Sequence, residues 1–135
     1  MLSIETNGNT TEFAPGQVIE GRAGWDRTSP PRDAVLRLFW YTEGRGTQDV
    51  GVAAEQSFGN LQPVHREPFR FKVPEAPYSF SGKLVSLRWA LELLVDKGKE
   101  VERLNLLVTP WVKEPELGVV EEEEGAKKKW GFKVG

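Results

Sequence analysis

The sequence predicts an all-β fold, two sheets packed face to face as a sandwich of about seven strands. Three observations carry that reading. Apolar residues recur at every second position in the longest periodic segment, glycine and proline are scattered so as to discourage long helices, and the apolar runs are short and separated by turn formers.

Taken in chain order, Leu2 and Ile4 begin the first strand. Residues 17–25 place Ile19, Ala23 and Trp25 on one face, and a loop over 26–33 carries Pro30-Pro31. Residues 34–42 put Leu36, Leu38 and Trp40 on one face and Val35, Phe39 and Tyr41 on the other. Apolar residues on both faces indicate a central strand, or one partly covered by a loop. The turn Glu43-Gly44-Arg45-Gly46 sends residues 47–58 back antiparallel. After a linker over 60–65, Phe69, Phe71 and Val73 alternate with Arg70 and Lys72 in a short strand that stops at Pro74, and 74–82 is again a linker.

The clearest element is 83–95, where Val85, Leu87, Trp89, Leu91, Leu93 and Val95 alternate with Ser86, Arg88, Ala90 and Glu92. A helix would scatter these apolar residues around its circumference. At about 3.3 Å per residue the segment runs roughly 40 Å, so it is expected to bend or to pass from one sheet to the other. The turn Asp96-Lys97-Gly98-Lys99 leads into 100–109, with Leu104, Leu106 and Val108 on one face. The pattern fades around Lys113-Glu114-Pro115. This sets a sandwich domain over 1–113 and a charged tail over 114–135 with at most one added edge strand.

Composition narrows the function classes. A chain of 135 residues holds one domain and can bury a core without staples, and it has no cysteine to make them. Disulfides, thiolate metal sites and thiol catalysis are therefore excluded. The start, Met1-Leu2-Ser3-Ile4-Glu5, carries no signal-peptide pattern, and no apolar run approaches the roughly 20 residues that span a bilayer. The expected compartment is the cytoplasm. A net charge of −2 shows no basic footprint for nucleic acid.

An enzyme needs a constellation of groups, and the sequence offers none. Its single histidine, His65, lies in a proline-flanked polar loop and reads as structural. Ser79 and Ser81 lack a Gly-x-Ser-x-Gly setting, and Gly44-Arg45-Gly46 belongs to a hairpin rather than to a phosphate loop. Glu92 faces outward and suits a cross-strand ion pair with an arginine. No cofactor and no metal is expected.

Of the five tryptophans, Trp89 and Trp40 read as core. Trp25 and Trp111 lie at strand ends, where they either fill the end of the sandwich or form an aromatic platform for a sugar or a peptide. The tail runs Glu121-Glu122-Glu123-Glu124, then Lys127-Lys128-Lys129, then Trp130, Phe132 and Val134 at alternate positions. It reads as a solvated terminus or an edge strand, or else as a short element docking by strand addition.

Two segments carry a family resemblance. Phe13-Ala14-Pro15-Gly16-Gln17-Val18-Ile19-Glu20-Gly21 is a Pro-Gly turn entering a strand that closes on glycine. Ala76-Pro77-Tyr78-Ser79-Phe80-Ser81-Gly82 then leads into the strand bearing Arg88-Trp89. In this order they resemble the amino-terminal domain of the arrestin-like clan, which includes arrestins, α-arrestins, a retromer subunit and bacterial sporulation-control proteins. The resemblance covers roughly residues 1–112. It implies an immunoglobulin-like sandwich acting as a protein-binding adaptor or scaffold, without catalysis. Arrestins have two such domains and sense phosphate through paired early lysines; here no lysine precedes Lys72, so phosphate sensing is not carried over. Independently, Pro15-Gly16 suits a type II turn.

The expectation is a non-catalytic domain that binds a protein through sheet edges or end loops. Its candidate contacts are the turn at 43–47, the loop at 26–33 and the tail, with Trp25, Arg45, Trp111, Trp130 and Phe132 as contact residues. Two alternatives stay open, a carbohydrate- or small-ligand-binding module and a structural subunit that self-associates through its edge strands.

Overall fold

The alternation in the sequence becomes nine strands in the computed structural model, which describes residues 1–44, 48–82 and 85–110. They are β1 (Leu2–Thr6), β2 (Glu12–Phe13), β3 (Val18–Asp26), β4 (Ala34–Gly44), β5 (Val50–Ser57), β6 (Val64–Lys72), β7 (Phe80–Ser81), β8 (Val85–Val95) and β9 (Glu100–Val108), with one 3-10 turn at Asn7–Asn9. One sheet has the order β1-β3-β6. The other has the order β2-β9-β8-β4-β5, with β7 paired to the start of β8. The fold is a two-sheet β-sandwich, as the sequence predicts.

The core lies between the inner faces. Ile19, Ala23 and Trp25 from β3 and Phe69 and Phe71 from β6 meet Leu36 and Leu38 from β4, the odd positions 87–95 of β8, and Leu106 and Val108 from β9. Fully burying side chains of this size is worth about 1.5–3 kcal/mol each, which is how a chain without disulfides holds two sheets together.

β8 does not change sheets. It finds a partner of its own length, pairing with β4 from Ala34↔Val95 to Gly44↔Val85, so both ends of the long ribbon stay hydrogen-bonded. β4 is central, between β8 and β5. Its outward Phe39 and Tyr41 are covered by a side chain: the Arg103 guanidinium lies 5.3 Å from the Phe39 ring centre and 5.1 Å from that of Tyr41. Trp40 is half-buried, its ring lying over Gly51 where a Cβ would come within 2.3 Å.

β6 is longer than the sequence suggested, nine residues that begin before Pro68. The proline is tolerated because β6 is an edge strand and no ladder bond on its outer side is lost. The Pro15-Gly16 turn is type II as expected, with Gly16 at φ +83° and the Gln17 N–H donating to the Ala14 carbonyl at 3.0 Å. Gly98 takes a positive φ as expected, and Asp96 and Lys97 do too, at +56° and +54°. Asp33 holds them there: its carbonyl accepts the Asp96 N–H at 3.0 Å and its carboxylate the Lys97 N–H at 2.8 Å.

Candidate functional site

Trp25 corrects one expectation. It is fully buried and offers no platform. Its indole N–H donates to the Gln62 carbonyl at 2.7 Å, and its ring stacks on His65 at 4.7 Å and on Phe58 at 5.6 Å. The chain after β5 folds over the strand end, a long-range closure that alternation along β3 does not reveal. Arg45, Trp111, Trp130 and Phe132 lie outside the described residues, as do most of the turn at 43–47 and the tail.

His65 closes the seam between the sheets. Its Nδ1 accepts the Gln62 N–H at 3.3 Å, which places the proton on Nε2, 3.0 Å from Glu67. The other Glu67 oxygen accepts from Gln56 on β5 at 3.0 Å. This run of hydrogen bonds ties the loop after β5 to β6 and β6 back to β5.

Two surfaces remain. The first is the outer face of the larger sheet beside β5. A row of charges crosses four strands, Glu55, Arg37, Glu92 and Arg103, with Arg37 Nε 2.6 Å from Glu55 and Arg103 Nη2 2.9 Å from Glu92. The hydrogen bonds that Arg103 donates to Glu92 raise the pKa of Arg103 further, against its partial burial. Arg88 pairs with Glu43 farther along. Next to this row Val50 and Val52 project outward opposite Tyr41 and Phe39, 66% and 51% exposed. Among the described residues β5 pairs only with β4; on its far side Gln56 bonds to Glu67 and Pro68 of β6, and beside Val50 and Val52 no strand is paired.

The second surface is the end of the sandwich. Residues 27–33 are stapled to the β8–β9 hairpin through Asp96. Its carboxylate accepts the Arg32 backbone N–H at 2.7 Å and the Arg27 guanidinium at 3.0 Å, and Arg27 also reaches Glu100 at 2.9 Å. The Arg32 N–H, and after it the Arg27 bond and charge, hold the Asp96 carboxyl below its ordinary value, with partial burial opposing them. Beside the staple lies a depression close to 590 Å3 in volume.

The segment 76–82 serves the interior. The Ser79 N–H donates to the Val108 carbonyl at 2.7 Å, and the Ser79 hydroxyl accepts the Val108 N–H at 2.9 Å. Among the described residues no cluster of three or more His, Cys, Asp or Glu is placed to hold a metal ion, and no helix is long and apolar enough to cross a membrane.

No protein-family model matches the chain, and no curated protein does. Solved structures do. The sporulation control protein Spo0M from Bacillus subtilis matches with a TM-score of 0.56 at 17% identity, over 80% of this chain and 48% of that one. The likeness is one of fold. This chain spans about half the length of Spo0M. Two looser matches are a superoxide reductase (neelaredoxin) from Ignicoccus hospitalis and a β-glucosidase from Listeria innocua in complex with gluconolactone. The first has a TM-score of 0.48 at 16% identity, over 80% of each chain; the second has 0.46 at 11%, over 84% of this chain and 16% of that one.

Proposed function

We propose that this chain is a non-catalytic, cytoplasmic protein-binding domain, an adaptor or scaffold of arrestin-like type, that engages its partner along the β4–β5 side of the larger sheet. The observation that carries this is the exposure of Val50 and Val52 at an open strand edge, next to Phe39 and Tyr41. The other edges are blunted. β6 carries Pro68 with Arg66, Arg70 and Lys72, β1 has five residues and β2 two. The register of β5 against β4 shifts at Ala53, and beyond it Gln56 is bonded to β6, which leaves Val50 and Val52 as an apolar patch rimmed by the Arg88–Glu43 and Arg103–Glu92 pairs.

A photo-crosslinker placed at residue 52, and separately at residue 70 on the other sheet, tests this in cells. A single protein captured in defined stoichiometry from position 52, and lost with Val50→Glu/Val52→Glu, supports the reading. Equal capture from both positions, or turnover of a small molecule by the pure protein, overturns it. The same open edge would also serve a second copy of the chain, and capture of the chain by itself from position 52 would select self-association.

A further inference from the structure

The depression at the end of the sandwich has an apolar floor and a cationic rim. Phe58 and Ala34 are buried beneath it, and Leu61 and Leu94 are partly exposed in its wall. Arg32 and Lys97 stand on the rim, and a recess of about 180 Å3 shares both residues and adds Lys99 and the carboxylate of Asp96. All three cations are exposed.

The carboxylates in reach are already committed. Asp96 and Glu100 are taken by Arg27, and Glu55 by Arg37. Asp33, which lines the larger recess, is held by the Lys97 backbone N–H. Among the described residues no carboxylate forms an ion pair with the side chains of Arg32, Lys97 or Lys99. The Asp96 staple and the three consecutive positive-φ residues of the hairpin fix the backbone that carries these cations.

The geometry points to an acidic polypeptide segment of a partner protein as the ligand of this depression, with one apolar side chain on the floor and successive carboxylates on the rim. The cations border two adjoining recesses, so a single small anion would leave some of them unpaired. An extended chain places a side chain about every 3.3 Å and can meet them in turn. Nucleic acid fits less well, because no aromatic ring is open for stacking: Phe58 is only 8% exposed. The site lies apart from the β5 patch, so either can fail while the other stands.

The test is fluorescence polarisation of labelled Leu-Glu-Glu-Glu-Glu against the full chain at low salt. Beside it run the same peptide with glycine for leucine and an oligothymidylate of equal charge. Binding should weaken about tenfold in Arg32→Glu/Lys97→Glu, which reverses two exposed side chains, and should weaken as well when glycine replaces leucine. Arg70→Glu, on the outer face of the other sheet, should leave binding unchanged. Absence of binding, equal binding by the double variant, or oligothymidylate binding as tightly as the peptide would overturn the inference. So would a peptide that binds only after Glu121, Glu122, Glu123 and Glu124 are changed to glutamine, an outcome that would give the depression to the chain's own acidic run.

Discussion

The indole N–H of Trp89, on β8, donates a hydrogen bond to the Pro77 carbonyl at 3.0 Å. These two residues bracket the second of the segments that resemble the arrestin-like domain, and the bond explains why they occur together. Trp89 is fully buried, and a buried indole N–H needs an acceptor. The loop that supplies it also supplies Ser79, which holds the end of β9 through both bonds to Val108. The segment therefore acts as a clamp inside the fold.

Trp89→Phe keeps most of the apolar ring and strips the Pro77 carbonyl of its donor. The expected loss is about 1–3 kcal/mol of unfolding free energy, read from urea denaturation with an unchanged slope. A variant as stable as the wild type would show that water replaces the indole at that carbonyl.

Gly24→Ala should be the most damaging of the small substitutions. A Cβ there would lie 1.8 Å from the His65 carbonyl oxygen, backbone against backbone in the β3–β6 ladder. The strands must part, at a cost of about 3 kcal/mol or more, and the stack of Trp25 on His65 should loosen, changing the near-ultraviolet circular dichroism. Gly59→Ala is the control, since nothing lies within 4 Å of its Cβ position, and its effect should stay within about 0.5 kcal/mol.

How much of this was legible in the sequence depended on whether the cause was local. The alternation from Val85 to Val95 gave a strand and its buried face, and Pro15-Gly16 gave a turn type, because both are set by neighbours along the chain. The first half of β6 was hidden by Pro68, which breaks a central strand but not an edge strand, and edge position is a property of the whole sheet. β2 and β7, two residues each, carry no periodicity at all. The burial of Trp25 and the covering of Phe39 by Arg103 both come from residues dozens of positions away. The cationic rim was missed for the same reason: Arg32 lies in one loop and Lys97 and Lys99 in another, and only the Asp96 staple brings them together.

Arg103 and Glu92 form a two-bond pair on the sheet surface, at 2.9 and 3.2 Å. Because Arg103 is exposed, a double-mutant cycle with Arg103→Ala and Glu92→Gln should give a coupling of only about 0.5–1 kcal/mol, shrinking as salt is added. Arg103→Ala alone should cost more than that coupling, since it also uncovers the Phe39 ring. Equal costs would mean that the arginine stem and its ring contacts contribute nothing.

Asp96 gives the protein an acid-sensitive element. The Arg32 backbone N–H, then the bond and charge of Arg27, hold its carboxyl below the ordinary 3.8, with partial burial opposing them. A folded pKa below the unfolded one means that the unfolded state binds more protons in acid. The ionised group thus adds stability that is complete above the unfolded value and is lost as pH falls through the folded one. Asp96→Asn keeps an acceptor for the Arg32 N–H and removes the charge facing Arg27. The difference in melting temperature between wild type and variant should then be constant from pH 7 to about 5, and should close as the pH is taken below about 4. Glu100 and the other carboxylates are common to both proteins and cancel in the difference. A gap that persists unchanged to low pH would assign the role of Asp96 to the shape of the hairpin, where its φ of +56° suits asparagine equally well, and not to its charge.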